Sequence, residues 1–186
     1  MLEVSGYSKV AFVGFSLGTT QTFYGMAKDA NNFYKEKISV FIALAPCTKL
    51  THSTFSFMNM GSMLYDRVVA DLSQSGVKAL YGPNWMQDKM ALCNTENFVV
   101  CMLVKEMCIG DGQAVSTRAI QHSLQTMMKD NFVEFDPALT HKAQLFDSAA
   151  ITPIVMLSNI RDVPIHMFVG KEDTICSPKD ALWTKD

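Results

Sequence analysis

Charge is scarce in this chain. Only 18% of its 186 residues are charged, against about 25% in an ordinary globular domain, and 16 basic residues nearly balance 18 acidic ones for a net charge of −2. No run of five or more Lys or Arg occurs, so the electrostatic footprint of a nucleic-acid binder is missing. Long apolar runs are absent too: stretches such as Phe98 to Val104 stop well short of the roughly 18 residues of a membrane-spanning helix. Met1-Leu2-Glu3-Val4-Ser5-Gly6 has neither a basic start nor an apolar core, so no signal peptide is expected in this chain. The five cysteines form no Cys-x-x-Cys pair and have no histidine at zinc-ligand spacing, which argues against a structural zinc site. Their odd number leaves at least one thiol unpaired within the chain, and the redox compartment stays open. Internal repeats, low-complexity segments and Asn-x-Ser/Thr sequons are also missing.

What is present is apolar: 48% of the residues are hydrophobic, enough for one sizeable core. One domain is the expectation from length, and a piece of a larger domain would look the same. Lys9-Val10-Ala11-Phe12-Val13-Gly14 reads as a short buried strand. From Leu17, the residues Leu17, Thr20, Tyr24 and Ala27 recur with helical spacing. Ile38-Ser39-Val40-Phe41-Ile42-Ala43-Leu44 is a second unalternating run, as suits a parallel sheet covered on both faces. The pattern is βαβ. After Pro46 the chain turns rich in Met, Phe and Tyr and shows no comparable strand. Helices are predicted over 97–109 and 116–131, the second with Ser116 as N-cap and Ile120, Leu124, Met127 and Met128 on one side. An apolar strand returns at 163–170, and a helix is predicted from Ser177-Pro178.

Gly14-Phe15-Ser16-Leu17-Gly18 is a Gly-x-Ser-x-Gly pentapeptide. Alone it is a weak signal; between a predicted strand and a predicted helix it reads as a nucleophile elbow, a turn so tight that only glycines fit around the serine. The plain alternative is a tight βα turn without chemistry. The helix that begins at Leu17 aims its dipole and free amides at the same point, so the Leu17 N–H is the candidate oxyanion donor. A serine nucleophile needs a base and an orienting carboxylate, which follow in the order Ser, Asp/Glu, His on such a framework. Asp173 fits the carboxylate because it follows the predicted strand at 163–170, on the sheet edge where sites collect. Asp162 precedes that strand and falls at the wrong edge; Glu172 and Asp180 are poorer candidates.

These residues together resemble the acid lipase family of α/β-hydrolases, which includes the gastric and lysosomal acid lipases. The similarity runs along nearly the whole chain: Lys9 through Thr20 resembles the elbow, Phe41-Ile42-Ala43-Leu44-Ala45-Pro46 the next strand, and Gln121-His122-Ser123 with Phe132-Val133-Glu134-Phe135-Asp136 a stretch of the cap. Val163-Pro164-Ile165 through Gly170-Lys171-Glu172-Asp173, then Ser177-Pro178-Lys179-Asp180, is similar to the segment that bears the family's aspartate.

The resemblance implies an α/β-hydrolase fold, a partial parallel sheet with flanking helices and an inserted, mostly helical cap. Residues 1–46 form the elbow segment of the core, 47–150 the cap, and 151–186 a truncated aspartate segment. It implies a serine lipase or carboxylic ester hydrolase acting on triacylglycerol or steryl esters at a lipid–water interface, through an acyl-enzyme. Ser16 is then the nucleophile, Leu17 the oxyanion donor, Gly14 and Gly18 the elbow glycines and Asp173 the carboxylate, with no metal or cofactor. A lysosomal or secreted setting is implied only by the family. Phe55, Phe57, Met58, Met60, Met63, Leu64 and Tyr65 either line an acyl channel or pack within the cap. Cys93, Cys101 and Cys108 stand where the family's cap has cysteines and either bridge or remain buried thiols. Gly110-Asp111-Gly112 is a turn, lacking the third glycine of a dinucleotide loop.

The departures are specific. Phe15 and Leu17 stand where the family usually has His and Gln, and no histidine follows Asp173, although the family's catalytic histidine comes one strand later. The strands and loop that precede the family's elbow are also without counterparts here, so the resemblance is that of a fragment lacking both ends. Among the histidines present, His166 falls inside a strand, His122 and His141 in the cap, and His52 on a loop, where it is the least unsuitable replacement. A catalytically inactive lipase-like or lipid-binding protein is therefore the alternative function, and an acyltransferase on the same framework a third. Truncated sheet edges make the chain an expected aggregation risk.

Overall fold

A computed structural model describes residues 2–55, 59, 62–74, 116–147 and 152–186. The helix predicted over 97–109, the three cysteines Cys93, Cys101 and Cys108, the Gly110-Asp111-Gly112 turn, and Phe57, Met58 and Met60 lie outside the described residues. The chain divides into two compact units, one of Met1–Thr54, Asp130–Val133 and Pro153–Asp186, the other of Phe55–Lys129 and Glu134–Thr152.

The first unit is α/β. Its elements in chain order are α1 (Leu2–Ser5), β1 (Val10–Phe15), α2 (Leu17–Ala27), α3 (Phe33–Lys37), β2 (Ile38–Leu44), β3 (Ile165–Phe168) and a C-terminal helix, here αC (Pro178–Lys185). The three strands form an open parallel sheet in the order β1-β2-β3, with Val13 opposite Ile42 and Ile42 opposite His166. β2 is central, and its Phe41 and Ala43 are completely buried. Phe23 of α2 meets Phe41 edge-on at 5.2 Å between ring centres, and Met26, Ala27, Ile38, Phe132, Val155 and Val163 complete the core. The amide of Val155 donates to the Phe132 carbonyl at 2.8 Å, which carries residues 130–133 into this unit.

Two expectations are corrected. β1 is not a buried strand: only Gly14 is buried, while Phe12, Val13 and Phe15 are exposed. It is an edge strand, and among the described residues no strand pairs with its outer side, so burial on both faces is approached only in β2. The helix after Ser16 is present, but its buried face is Thr19, Thr22, Phe23, Met26 and Ala27, whereas Leu17 and Tyr24 are exposed. Threonine can occupy this face because its hydroxyl is satisfied locally: Thr22 Oγ1 donates to the Gly18 carbonyl at 2.8 Å. Gly25 lies mid-helix for a packing reason, since a Cβ there would stand 2.1 Å from the Tyr34 hydroxyl.

The second unit is helical where described, with α4 (Tyr65–Gln74), α5 (Thr117–Lys129) and α6 (Lys142–Leu145). Ser116 acts as the predicted cap, accepting the Arg118 amide at 3.2 Å. Ile120 and Leu124 are buried as expected, but the buried stripe continues through Gln125 and Thr126, with Met127 and Met128 only half-buried. Gln125 is completely buried and fully bonded: its Nε2 donates to Tyr65 Oη at 3.1 Å and to the Asp136 carbonyl at 2.7 Å, and its Oε1 accepts the Asp136 amide at 3.1 Å. Tyr65 Oη donates to the Leu139 carbonyl at 2.5 Å, and burial raises its pKa above the ordinary tyrosine value. Tyr65 therefore packs inside this unit, whereas Met63 and Leu64 are exposed and Phe55 is half-buried.

Candidate functional site

Ser16 occupies the joint between β1 and α2. Its amide donates to the Leu44 carbonyl at 3.0 Å, which fixes the end of β1 against β2. The chain then reverses into the helix within one residue, which puts Ser16 at φ 50°, ψ −120°. A non-glycine residue held there costs on the order of 1–3 kcal/mol and persists only where its surroundings impose it. Thr19 imposes it: its amide and its hydroxyl both donate to the Ser16 carbonyl, at 2.8 and 2.6 Å. Although Ser16 occupies the N-cap position, its side chain caps no helix amide. Among the described residues the hydroxyl of this half-buried serine is thus left available beside the first amide of α2, that of Leu17, which has no intrahelical acceptor.

The two elbow glycines differ. A Cβ at Gly14 would meet the Phe41 ring at 3.1 Å and the Gly18 backbone at 3.3 Å, so a larger residue there must push its neighbours aside. A Cβ at Gly18 would meet nothing within 4 Å among the described residues. The expectation that only glycine fits on either side of the serine is therefore corrected at Gly18.

Asp173 follows β3 at the same edge of the sheet. Its amide bonds to the Gly170 carbonyl at 3.1 Å, and its Oδ1 accepts the Ile175 and Cys176 amides at 3.0 and 2.9 Å. Oδ2 has no hydrogen-bond partner among the described residues. β1 and β3 flank β2, so the strands that lead to Ser16 and to Asp173 lie on opposite sides of the central strand. Asp162 lies before β3 and is paired with Lys35 at 2.7 Å, whose hydrogen bond and charge hold its carboxyl below the ordinary aspartate range. Glu172 is exposed.

Asp180 is fully buried and holds a histidine. Its Oδ1 is 2.8 Å from His52 Nδ1, its Oδ2 accepts the His52 amide at 2.9 Å, and Ser177 Oγ donates to Oδ2 at 3.1 Å. His52 is therefore committed to Asp180 and not to Asp173. His166 faces outward from β3; His122 and His141 belong to the second unit. Sequence reasoning missed this pair and the Cys47–Cys176 disulfide, because partners so far apart in the chain leave no local pattern. Only the helix start at Ser177, whose Oγ accepts the Asp180 amide, was visible.

Large apolar side chains are exposed at this edge: Phe15 at 66% and Phe168 at 59% at the ends of β1 and β3, and Leu17 and Ile175 in the segments that follow. Among the described residues no cluster of three His, Cys, Asp or Glu side chains could hold a metal ion, and no helix is long and apolar enough to cross a membrane. In comparisons with known proteins, the chain matches no family model, and no curated protein matches it.

Proposed function

We propose that the first unit is part of an α/β-hydrolase that cleaves carboxylic esters of lipids, with Phe55–Lys129 and Glu134–Thr152, rather than the whole of 47–150, contributing its cap. The observation that carries this reading is Ser16, a serine held at positive φ in a strained turn between a parallel strand and a helix, with its hydroxyl not used as a cap. In the proposed reaction Ser16 Oγ attacks the ester carbonyl, the Leu17 N–H stabilises the tetrahedral oxyanion, the alcohol departs, and water hydrolyses the acyl-enzyme. Asp173, anchored through Oδ1, offers Oδ2 to orient an imidazole base. The exposed apolar side chains of Phe15, Leu17, Phe168 and Ile175 support an acyl chain rather than a charged substrate. The disulfide supports an oxidising compartment. A fluorophosphonate probe is expected to label Ser16 in the folded full-length protein; an intact, folded sample that stays unlabelled defeats the reading.

A second reading, a lipid-binding protein without turnover, is favoured by the commitment of His52 to Asp180. It expects ester hydrolysis equal to that of Ser16→Ala, and a measurable difference between the two proteins excludes it.

A further inference from the structure

The loop that leaves β2 is stitched to the segment that leaves β3. The Thr54 amide and the Ser53 hydroxyl both donate to the Thr174 carbonyl at 2.9 Å, the Thr48 and Thr184 hydroxyls share a bond of 2.5 Å, and Asp180 holds His52. The covalent stitch, Cys47 to Cys176, has Cα atoms 5.1 Å apart, and it differs from the others in what it adjoins. On one side the Cys47 amide donates to Thr19 Oγ1 at 3.2 Å and the Cys47 carbonyl accepts Thr20 Oγ1 at 2.8 Å. Thr19 is the residue that holds the Ser16 carbonyl. On the other side the Cys176 amide donates to Asp173 Oδ1 at 2.9 Å. A continuous path thus runs from Ser16 through Thr19, Cys47 and Cys176 to Asp173.

We propose that the Cys47–Cys176 disulfide is a reducible clasp that fixes the Ser16 turn and the Asp173 turn to each other, and that a dithiol releases the Asp173 turn while the sheet stays folded. Opening balances as thiol–disulfide exchange: a thiolate of the dithiol attacks one sulfur, the other leaves and takes a proton. The dithiol's second thiolate then closes its own disulfide and frees the remaining cysteine, two electrons and two protons passing to the protein in all. The sheet is expected to survive because β2 keeps its hydrogen bonds to both neighbours and its packing against α2 without any help from either cysteine. The clasp concerns backbone order and does not depend on ester hydrolysis, so failure of Ser16 to label a probe leaves it standing.

The test is amide hydrogen exchange on the 186-residue chain, oxidised and then in dithiothreitol, with the free thiols identified by alkylation and mass. A Cys47→Ser/Cys176→Ser double variant is measured without reductant. Expected is exchange on the order of tenfold faster or more over residues 173–177 and 45–48, with β2 unchanged, and the same pattern in the double variant. Unchanged exchange at 173–177 after complete reduction overturns the proposal, as does acceleration throughout β2, which would make the bridge a global staple. Finding both thiols free in the oxidised chain also overturns it. If the double variant does not fold, the reduced natural chain decides.

Discussion

Ser16 is the residue where conformational cost and the proposed chemistry coincide, so replacing it should separate the two. Ser16→Gly removes the side chain that makes φ 50° unfavourable and is expected to stabilise the chain by about 1 kcal/mol while abolishing probe labelling; denaturant melts and labelling read the two effects. The flanking glycines should behave in opposite ways. Gly14→Ala sets a methyl 3.1 Å from the Phe41 ring and 3.3 Å from the Gly18 backbone, contacts that require both to shift by a few tenths of an ångström, and should cost about 1–3 kcal/mol. Gly18→Ala meets open space and, inside a helix, should be neutral or stabilising by up to about 1 kcal/mol. Asp130 provides a pH dependence. Its hydrogen bond to the Lys49 ammonium at 2.8 Å holds its carboxyl below the ordinary range. A carboxyl lowered in the folded state stabilises above its unfolded pKa, and that contribution is lost as pH falls through the folded value. The stability gap between the natural chain and Asp130→Asn should thus be present at neutral pH and close on acidification below about pH 4, as read from denaturation midpoints across pH. The pair is largely solvent-facing on the Asp130 side, so the gap is small.

At the scale of elements, αC depends on its first turn. Ser177 accepts the Asp180 amide and donates to the Asp180 carboxylate, so Ser177→Ala should cost about 1–2 kcal/mol, measured by thermal or chemical denaturation, and loosen His52 with it. The helix start was legible in Ser177-Pro178, as were β1, α2, β2 and β3, because each is written in a local run or a local cap. What the run does not record is which side faces inward. In α2 the hydrophobicity of Leu17 and Tyr24 pointed to one face, while the core took Thr19 and Thr22, whose hydroxyls are satisfied by carbonyls one turn back. In β1 the apolar run promised burial, but burial is decided by neighbours, and β1 has only one among the described residues. The candidate site divides along the same line. Ser16 and the Leu17 amide follow the end of β1 directly and Asp173 follows β3 by five residues, so each has a local sequence context; Thr19, His52–Asp180 and Cys47–Cys176 act across the fold and have none.

For the molecule as a whole, the exposed flank of β1 is the feature most open to association. Val13 and Phe15 project into solvent from a strand whose outer side is unpaired among the described residues, an arrangement that invites strand-to-strand pairing. Val13→Lys should lower self-association in sedimentation experiments without changing the melting transition, because Val13 contributes little to the core.

The parallel sheet also fixes an order of events during synthesis. β1 and β2 are close in the chain and can pair as soon as both have emerged, but the second edge of β2 must wait for β3, and Cys47 for a partner 129 positions later. At the usual 5–20 residues per second, that interval is roughly 6–25 s. During that time a nascent chain holds an unpaired central strand and an unpartnered thiol, so its yield in the cell will depend on what shields the growing end during those seconds.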